Sequence, residues 1–159
     1  MAMTMSGEYT LPADRATVWR ALNDAEVLAA CIPGCESFEK VSDTEFHAVA
    51  VNKIGPVKAR FKGEVTLSDI DPPNGYRISG QGQGGVAGFA KGGAVVSLSA
   101  ADSAEETVLT YEVEATVGGK IAQIGQRLVN SAAKKLADQF FENFRKKLGG
   151  EDEAPGAAD

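Results

Sequence analysis

Two cysteines come closest to a chemical motif in this chain. Cys31 and Cys35 enclose Ile-Pro-Gly, and this C-x-x-x-C spacing differs from the redox motif C-x-x-C. They are not half of a zinc site either, because the sequence has no second ligand pair at a suitable spacing. In a reducing compartment such residues are free thiols packed in the interior, and we predict that state for both.

A glycine-rich segment matches the phosphate-binding pattern G-x-G-x-x-G between Gly80 and Gly85. A dinucleotide site needs this motif to open a helix whose N-terminus faces the pyrophosphate. Residues 86–93 are too rich in glycine for a stable helix, and a strand pattern follows them. We therefore predict a mobile loop between two strands with Phe89 at its tip. Its role is either that of a flexible hairpin or that of a lid over a pocket.

Acid–base chemistry has few candidate groups. His47 is the single histidine, which leaves little room for a Ser–His–Asp, Cys–His or histidine-based metal site. Glu112 and Glu114 share one face of a predicted strand, but paired carboxylates catalyse proton transfer only in a cleft that perturbs their pKa. We predict a hydrogen-bonded structural histidine and two solvated carboxylates, hence no catalytic or metal-ligating residue.

The composition bounds the class of protein. The chain has 159 residues, of which 43% are hydrophobic and 24% charged, as in a single soluble globular domain. A net charge of −6 argues against nucleic-acid binding. No apolar run approaches the roughly 18 residues of a membrane helix, and the N-terminus lacks the pattern of a signal peptide. We therefore expect a cytoplasmic protein.

The C-terminal region has two charged segments. Residues 149–159 are predicted to be a disordered acidic tail that follows a single domain over residues 1–148. Just before the tail, Arg145, Lys146 and Lys147 form a basic cluster. This cluster is either a helix C-terminus whose dipole favours cations or a transient contact with a membrane surface or a partner.

The elements that must position these residues follow from two periodicities. A strand over Ser6–Leu11 is followed by two short helices, one from Pro12 to Leu22 and one over Ala25–Ala30. Asp24 is predicted to cap the second of these helices. From Glu36 to Val117 the apolar period is two, which predicts an antiparallel sheet of about six or seven strands. The alternation is clearest from Val57 to Ser68, which predicts one long strand with a buried and a solvated face. From Lys120 to Leu148 the period changes to three or four, which predicts one helix of roughly 40 Å. Since neither element buries its apolar face alone, the helix must lie across a curved sheet.

Small residues occupy many inward positions of the predicted strands: Ala59, Gly63, Gly80, Gly82, Ala94, Ala100 and Ala115. The first half of the predicted helix also carries small side chains. Either the helix therefore lies very close to the sheet, or the gap between helix and sheet holds a ligand. The curvature of the sheet favours the ligand, which must be apolar because the only polar tips among these positions are Tyr76 and Tyr111.

Three segments, in order, resemble one family. They are residues 31–36 (CIPGCE), 53–63 (KIGPV, then FKG) and 119–127 (GKIAQIGQR). They resemble the CoxG family of carbon monoxide dehydrogenase, within the START/polyketide-cyclase (SRPBCC) superfamily of helix-grip folds. The resemblance covers about residues 4–148. It implies a non-enzymatic accessory protein of a molybdenum-dependent CO dehydrogenase or related molybdenum hydroxylase, which recruits the enzyme to the inner face of the membrane and binds a lipid or quinone.

Three hypotheses remain at this stage. The first is a carrier of an apolar ligand, with no covalently bound cofactor, whose pocket the alternation pattern assigns to Phe61, Val65, Phe89, Val96, Leu98, Tyr111, Ile124 and Leu128. In this first hypothesis Phe89 is the gate of the pocket and Tyr111 binds a carbonyl head group of the ligand. The second is a cyclase or hydrolase of the same superfamily, which needs an inward polar group. The third is a structural adaptor with a solid core.

Overall fold

The computed structural model describes residues 1–103 and 105–149. Within them, seven strands form one antiparallel sheet in the order β1-β7-β6-β5-β4-β3-β2. The elements are β1 (Ala2–Leu11), α1 (Arg15–Leu22), α2 (Ala25–Cys31), β2 (Cys35–Ser42), β3 (Glu45–Ile54), β4 (Val57–Asp71), β5 (Gly75–Gln83), β6 (Phe89–Ala100), β7 (Thr107–Gly118), α3 (Lys120–Gln123) and α4 (Gln126–Lys147). The predicted α+β helix-grip architecture is confirmed, while the predicted acidic tail falls almost wholly on residues outside the description.

The two short helices carry the chain from one edge strand, β1, to the other, β2. Asp24 caps α2 as predicted, since its side chain accepts hydrogen bonds from the backbone N–H groups of Glu26 and Val27 at 2.9 and 3.4 Å. After α2, Gly34 adopts a φ of +73°, and a Cβ there would lie 2.0 Å from the Val51 carbonyl oxygen. Glycine is therefore required where the chain turns back into β2.

Two strands differ from the prediction. β1 begins at Ala2 rather than at Ser6, because its first residues pair with the end of β7. β2 was not predicted as a separate strand. Its pairing with β3 shifts register between Cys35 and Ser37 and again between Lys40 and Ser42, and such irregularities disturb the two-residue alternation that identifies a strand.

The predicted uninterrupted helix over residues 120–148 is wrong, because α3 ends at Gln123 and α4 begins at Gln126. Gly125 lies between them with φ +97° and ψ 151°, a conformation almost confined to glycine. The break changes the helical phase. Val129 is therefore buried, whereas Leu128, predicted to face the sheet, is 49% exposed.

The predicted loop around Phe89 is also corrected. β5 continues to Gln83, a single 3-10 turn covers Gly85–Ala87, and β6 begins at Phe89 itself. Phe89 pairs with Gly118, and its ring lies so close that a Cβ at Gly118 would be 2.3 Å from Phe89 Cε1. The residue at the tip of the turn between β5 and β6 is Val86, whose exposed fraction is 82%.

Two hydrophobic clusters lie between the sheet and the helices. The larger packs Phe144 of α4 with Leu11, Val18, Leu22, Cys31, Phe46, Leu67, Tyr76, Val96, Leu98, Leu109 and Tyr111. The smaller joins Met3, Val117, Ile121 and Val129 near the opposite end of the strands. We call the end with the larger cluster the closed end.

Candidate functional site

The inner face of the sheet is buried at the closed end and becomes accessible toward the other end. In β4, Leu67 is buried, whereas the inward residues from Val65 back to Val57 are partly exposed. In β6, Leu98 and Val96 are buried, Ala94 and Gly92 are partly exposed, and Ala90 is exposed. β3 and β5 follow the same gradient. The space between the sheet and the helices therefore opens at the end that carries the β3–β4 and β5–β6 turns.

The centre of the inner face has open space above it. Gly63 and Gly82 are direct cross-strand partners in β4 and β5. A Cβ at Gly63 would meet only the Gln81 carbonyl oxygen, at 3.5 Å, and one at Gly82 only the Lys62 carbonyl oxygen, at 3.9 Å. Both neighbours belong to the sheet, so no atom of α4 lies within 4 Å of a Cβ at either glycine.

The path of α4 explains this space. The backbone of α4 comes close to α2, to β1 and to β3, and makes few close approaches to the central strands. At the closed end, large rings bridge the gap: Phe141 stacks on Tyr9 at 4.4 Å between centroids and on Tyr111 at 5.8 Å. Toward the open end many of the facing residues are small: Gly63, Gly82, Gly92 and Ala94 on the sheet and Ala133 on α4. From these relationships we infer a hollow between the sheet and α4, bounded by the two clusters.

Two side chains border the opening. The ring of Phe61 lies against Gly84, where a Cβ would be 2.5 Å from Phe61 Cε1. Ile124, at the break between α3 and α4, lies over the β3–β4 turn, since a Cβ at Gly55 would be 3.0 Å from its Cδ1 atom. Both are partly buried residues of the smaller cluster. They narrow the entrance without a dedicated lid.

Two buried polar atoms, the Tyr111 hydroxyl and the side-chain oxygen of Asn130, form no hydrogen bond of normal geometry with the described residues. Asn130 precedes Ala133 by three residues, a spacing that places the two on the same side of α4. Sequence reasoning missed Asn130, although a polar residue within the apolar stripe was a signal. An unpaired buried acceptor is costly, so this oxygen favours a hydrogen-bond donor.

The Tyr76 hydroxyl and the two thiols stay protonated at neutral pH. Burial raises the pKa of Tyr76 and of Cys31, and burial also raises that of Cys35. Both cysteines are free thiols, as predicted, and Cys31 is buried. The predicted interior position of Cys35 is wrong, because this residue begins the edge strand β2 and is partly exposed. A protonated thiol is a poor nucleophile, so these groups supply no activated centre.

The structure separates the eight predicted pocket residues into three groups. Phe61, Val65 and Ile124 are partly exposed on the inner side, at or near the hollow. Val96, Leu98 and Tyr111 are buried within the larger cluster. Phe89 and Leu128 are 38% and 49% exposed, and Phe89 has the strand parity of the outer face. Gly63 and Gly82 lie where the small inward residues predicted open space, although they were not among the eight pocket residues, and Asn130 was not predicted.

The remaining chemical candidates lie on the outer face. His47 bonds to the Glu45 carboxylate at 2.9 Å, and Glu112 and Glu114 are exposed. Among residues 1–103 and 105–149 no group of His, Cys, Asp and Glu is arranged to hold a metal ion. None of the helices in that part of the chain is long and apolar enough to cross a bilayer.

A second concave surface, of about 990 Å³, lies on the outer face of β1, β7 and β6. Its lining combines two cations, Arg77 and Lys91, and two carboxylates, Glu112 and Glu114, with small, hydroxyl and apolar residues. The four charged side chains distinguish this surface from the inner hollow, whose lining is largely apolar.

Comparison with known structures gives the fold. A conserved protein from Geobacillus kaustophilus is 34% identical, with a TM-score of 0.87 over 93% of this chain and 96% of that one. The Zhui aromatase/cyclase from Streptomyces sp. R1128 is 12% identical, with a TM-score of 0.69 over 99% and 100% of the two chains. A START superfamily protein from Mycobacterium smegmatis, also 12% identical, has a TM-score of 0.71 over 92% and 97%. The last two show the fold alone.

The family follows from the sequence match. A comparison with curated proteins finds no significant match. The family model for CoxG, a subunit of carbon monoxide dehydrogenase, matches residues 7–149, which is nearly the whole of the described chain. The fold is shared with the Zhui aromatase/cyclase and with the START superfamily protein. The chain therefore belongs to the CoxG family.

Proposed function

We propose that this protein is a non-enzymatic accessory of a molybdenum-dependent CO dehydrogenase or related molybdenum hydroxylase, and that it holds an apolar ligand, a lipid or a quinone, in the hollow. Membership of the CoxG family supports the partner. The observation that supports a bound ligand is the Gly63–Gly82 pair on the inner face. No helix atom lies within 4 Å of a Cβ at either position.

The chemistry of the lining supports an apolar occupant. Phe61, Val65 and Ile78 are partly exposed to the hollow, and exposed apolar surface is stabilised by about 25 cal/mol for each Å² that a ligand covers. The unpaired oxygen of Asn130 adds one acceptor, which suits a ligand with a single polar group at one end.

The experiment fills the hollow from the sheet side. Gly63→Leu and Gly82→Leu place a large side chain where a Cβ meets only ordinary contacts, so both variants should fold. Each is incubated with ubiquinone or a phospholipid added from ethanol, and native mass spectrometry measures the bound fraction. We expect the wild-type protein to retain one of the two probes and both variants to lose it.

Gln81→Leu is the matched control, because Gln81 directly precedes Gly82 in β5 but is exposed on the outer face of the sheet. It should bind as the wild type does. Failure of the wild-type protein to take up either probe, or equal uptake by the filled variants, contradicts the ligand role.

The partner is tested separately. A tagged form of the chain is expected to co-purify with molybdenum hydroxylase subunits encoded near it, whereas the isolated chain should oxidise no CO. A pull-down without such subunits contradicts the accessory role and leaves the ligand measurement unaffected.

A further inference from the structure

Charge is distributed unevenly between the two ends of the sheet. We call the surface formed by residues 1–5, 52–59, 82–91 and 117–130 the mouth face, since these segments surround the opening of the hollow. The mouth face contains five cations and no acidic residue: Lys53, Lys58, Lys91, Lys120 and Arg127. The turns at the closed end are acidic and include Asp43, Glu45, Asp69, Asp71, Asp102, Glu105 and Glu106. In a chain of net charge −6, the mouth face is therefore a positive surface.

The cations of the mouth face lack a counter-charge in the part of the chain that the structure describes. None of the five forms an ion pair with any residue in those ranges. Lys53 and Lys58 are moreover direct cross-strand partners in β3 and β4. Like charges in that position repel each other and destabilise the hairpin. An external anionic surface would relieve this repulsion.

Apolar side chains stand among these cations. Val86, at the tip of the β5–β6 turn, is 82% exposed, and Leu128, in the first turn of α4, is 49% exposed. Isolated cations would suit any anionic molecule. Exposed aliphatic groups beside cations favour the interface of a bilayer, where the aliphatic groups enter the acyl boundary and the cations meet lipid phosphates.

We propose that the mouth face is the surface by which this protein docks on an anionic lipid bilayer. The proposal rests on the proposed function in one respect: docking in this orientation brings the opening of an apolar hollow against the phase in which an apolar ligand dissolves. The bilayer is thus both the surface bound and the source of the ligand.

This assignment differs from the sequence-based expectation of membrane contact at Arg145, Lys146 and Lys147. That cluster lies at the closed end, where α4 ends. Glu142 lies 2.9 Å from Arg145 and 4.0 Å from Lys146, so its carboxylate offsets part of the local positive charge. The closed end also presents the acidic turns, which an anionic bilayer repels.

The test compares two triple charge reversals with the same change in net charge. Lys53→Glu, Lys58→Glu and Lys120→Glu alter the mouth face, whereas Arg145→Glu, Lys146→Glu and Lys147→Glu alter the closed end. Binding is measured by flotation with vesicles of phosphatidylcholine alone and of phosphatidylcholine mixed with phosphatidylglycerol. Each lysine near an anionic surface contributes roughly a fivefold change in vesicle binding. The triple variant of the mouth face, which we call the mouth reversal, should therefore bind anionic vesicles about a hundredfold or more weakly.

The apolar contribution has its own variants. The double variant Val86→Ser, Leu128→Ser should reduce the vesicle binding that remains at high salt. At about 1 M salt the screening length is about 3 Å, so the electrostatic attraction is largely removed. Val41→Ser with Ile70→Ser is the matched control, since these residues are 52% and 42% exposed but lie toward the closed end. This control should bind vesicles as the wild type does.

The outcomes separate this proposal from the ligand proposal. Uptake of ubiquinone from vesicle-free solution should be unchanged in the mouth reversal, because the hollow remains intact. The docking proposal is overturned if the wild-type protein shows no preference for anionic vesicles, or if the closed-end reversal abolishes vesicle binding while the mouth reversal does not. Loss of ligand uptake by the wild type would instead contradict the proposed function.

Discussion

The ring of Tyr111 lies directly over Gly7, its cross-strand partner in β1. A Cβ at Gly7 would be 2.7 Å from the Cε2, Cζ and hydroxyl oxygen atoms of Tyr111. The side chain therefore leans toward the edge of the sheet, where it stacks with Tyr9 and Phe141. Its hydroxyl lies beside β1 and not above the central strands. A ligand head group reaches this hydroxyl only by extending to that edge.

Gly7→Ala is expected to destabilise the protein by about 1–3 kcal/mol, because the added methyl group overlaps a buried ring in a packed cluster. Urea unfolding followed by circular dichroism measures the change. The double variant with Tyr111→Leu should recover part of the loss, since leucine does not extend over position 7. Equal losses in the single and double variants would contradict the contact.

Tyr111→Phe should leave the free energy of unfolding unchanged or raise it slightly. The Tyr111 hydroxyl is buried without a hydrogen bond of normal geometry among the described residues, so its removal leaves no partner unpaired. Ligand uptake should also persist, as a carrier requires. A large loss of a measured catalytic activity in this variant would favour the cyclase or hydrolase hypothesis instead.

Gly125→Ala tests the break between α3 and α4. A Cβ at this position meets nothing within 4 Å, so any cost comes from the backbone, which has a φ of +97°. We expect a loss of about 1–3 kcal/mol in the free energy of unfolding. Gly82→Ala is the control, because its added methyl group enters open space on extended backbone; a loss as large there would contradict the backbone explanation.

The sequence predicts the elements and their order better than it predicts the site. The alternation from Val57 to Ser68 and the cap at Asp24 depend on nearby residues only, and both predictions are confirmed. The phase of α4 depends on the conformation of Gly125, which periodicity does not reveal. Leu128 was therefore assigned to the inner face, where Val129 lies.

Pocket residues were harder to predict for a second reason. Strand parity shows which face a residue occupies but not its height along the strand relative to the helix. Val96 and Leu98 have the same parity as Gly92, yet large aromatic rings fill the space over the first two. The position of the hollow thus depends on where α4 diverges from the sheet, a tertiary property.

Asn143→Ala is expected to loosen the contact between α4 and α2. The Asn143 side-chain amide donates a hydrogen bond of 3.0 Å to the carbonyl oxygen of Cys31, the last residue of α2. Its loss leaves a carbonyl unpaired near the buried Cys31 side chain, which should cost about 1–3 kcal/mol in thermal or urea unfolding. Gln139→Ala, at an exposed position of the same helix, should cost much less; similar losses would contradict a specific role for this bond.

Acid should weaken the attachment of β1 to α4 through Asp138. The Tyr9 hydroxyl donates a hydrogen bond to this carboxylate and Lys134 lies 2.9 Å away, and both lower the pKa of Asp138 below its usual value. The folded protein therefore binds this proton less readily than the unfolded chain does. The stabilisation is present above the unfolded pKa of about 3.9 and is lost as the pH falls through the lower folded value.

Measurement of the urea midpoint from neutral pH to about pH 2 tests this linkage. Asp138→Asn should be less stable than the wild type at neutral pH, and the difference should shrink in acid, where the wild-type carboxylate is protonated too. Tyr9→Phe should narrow the same pH dependence, because it removes the largest cause of the lowered pKa. Asp102→Asn, in the β6–β7 turn, controls for the loss of one negative charge. A wild-type minus Asp138→Asn difference that stays constant down to the lowest pH would exclude Asp138 as a source of acid sensitivity.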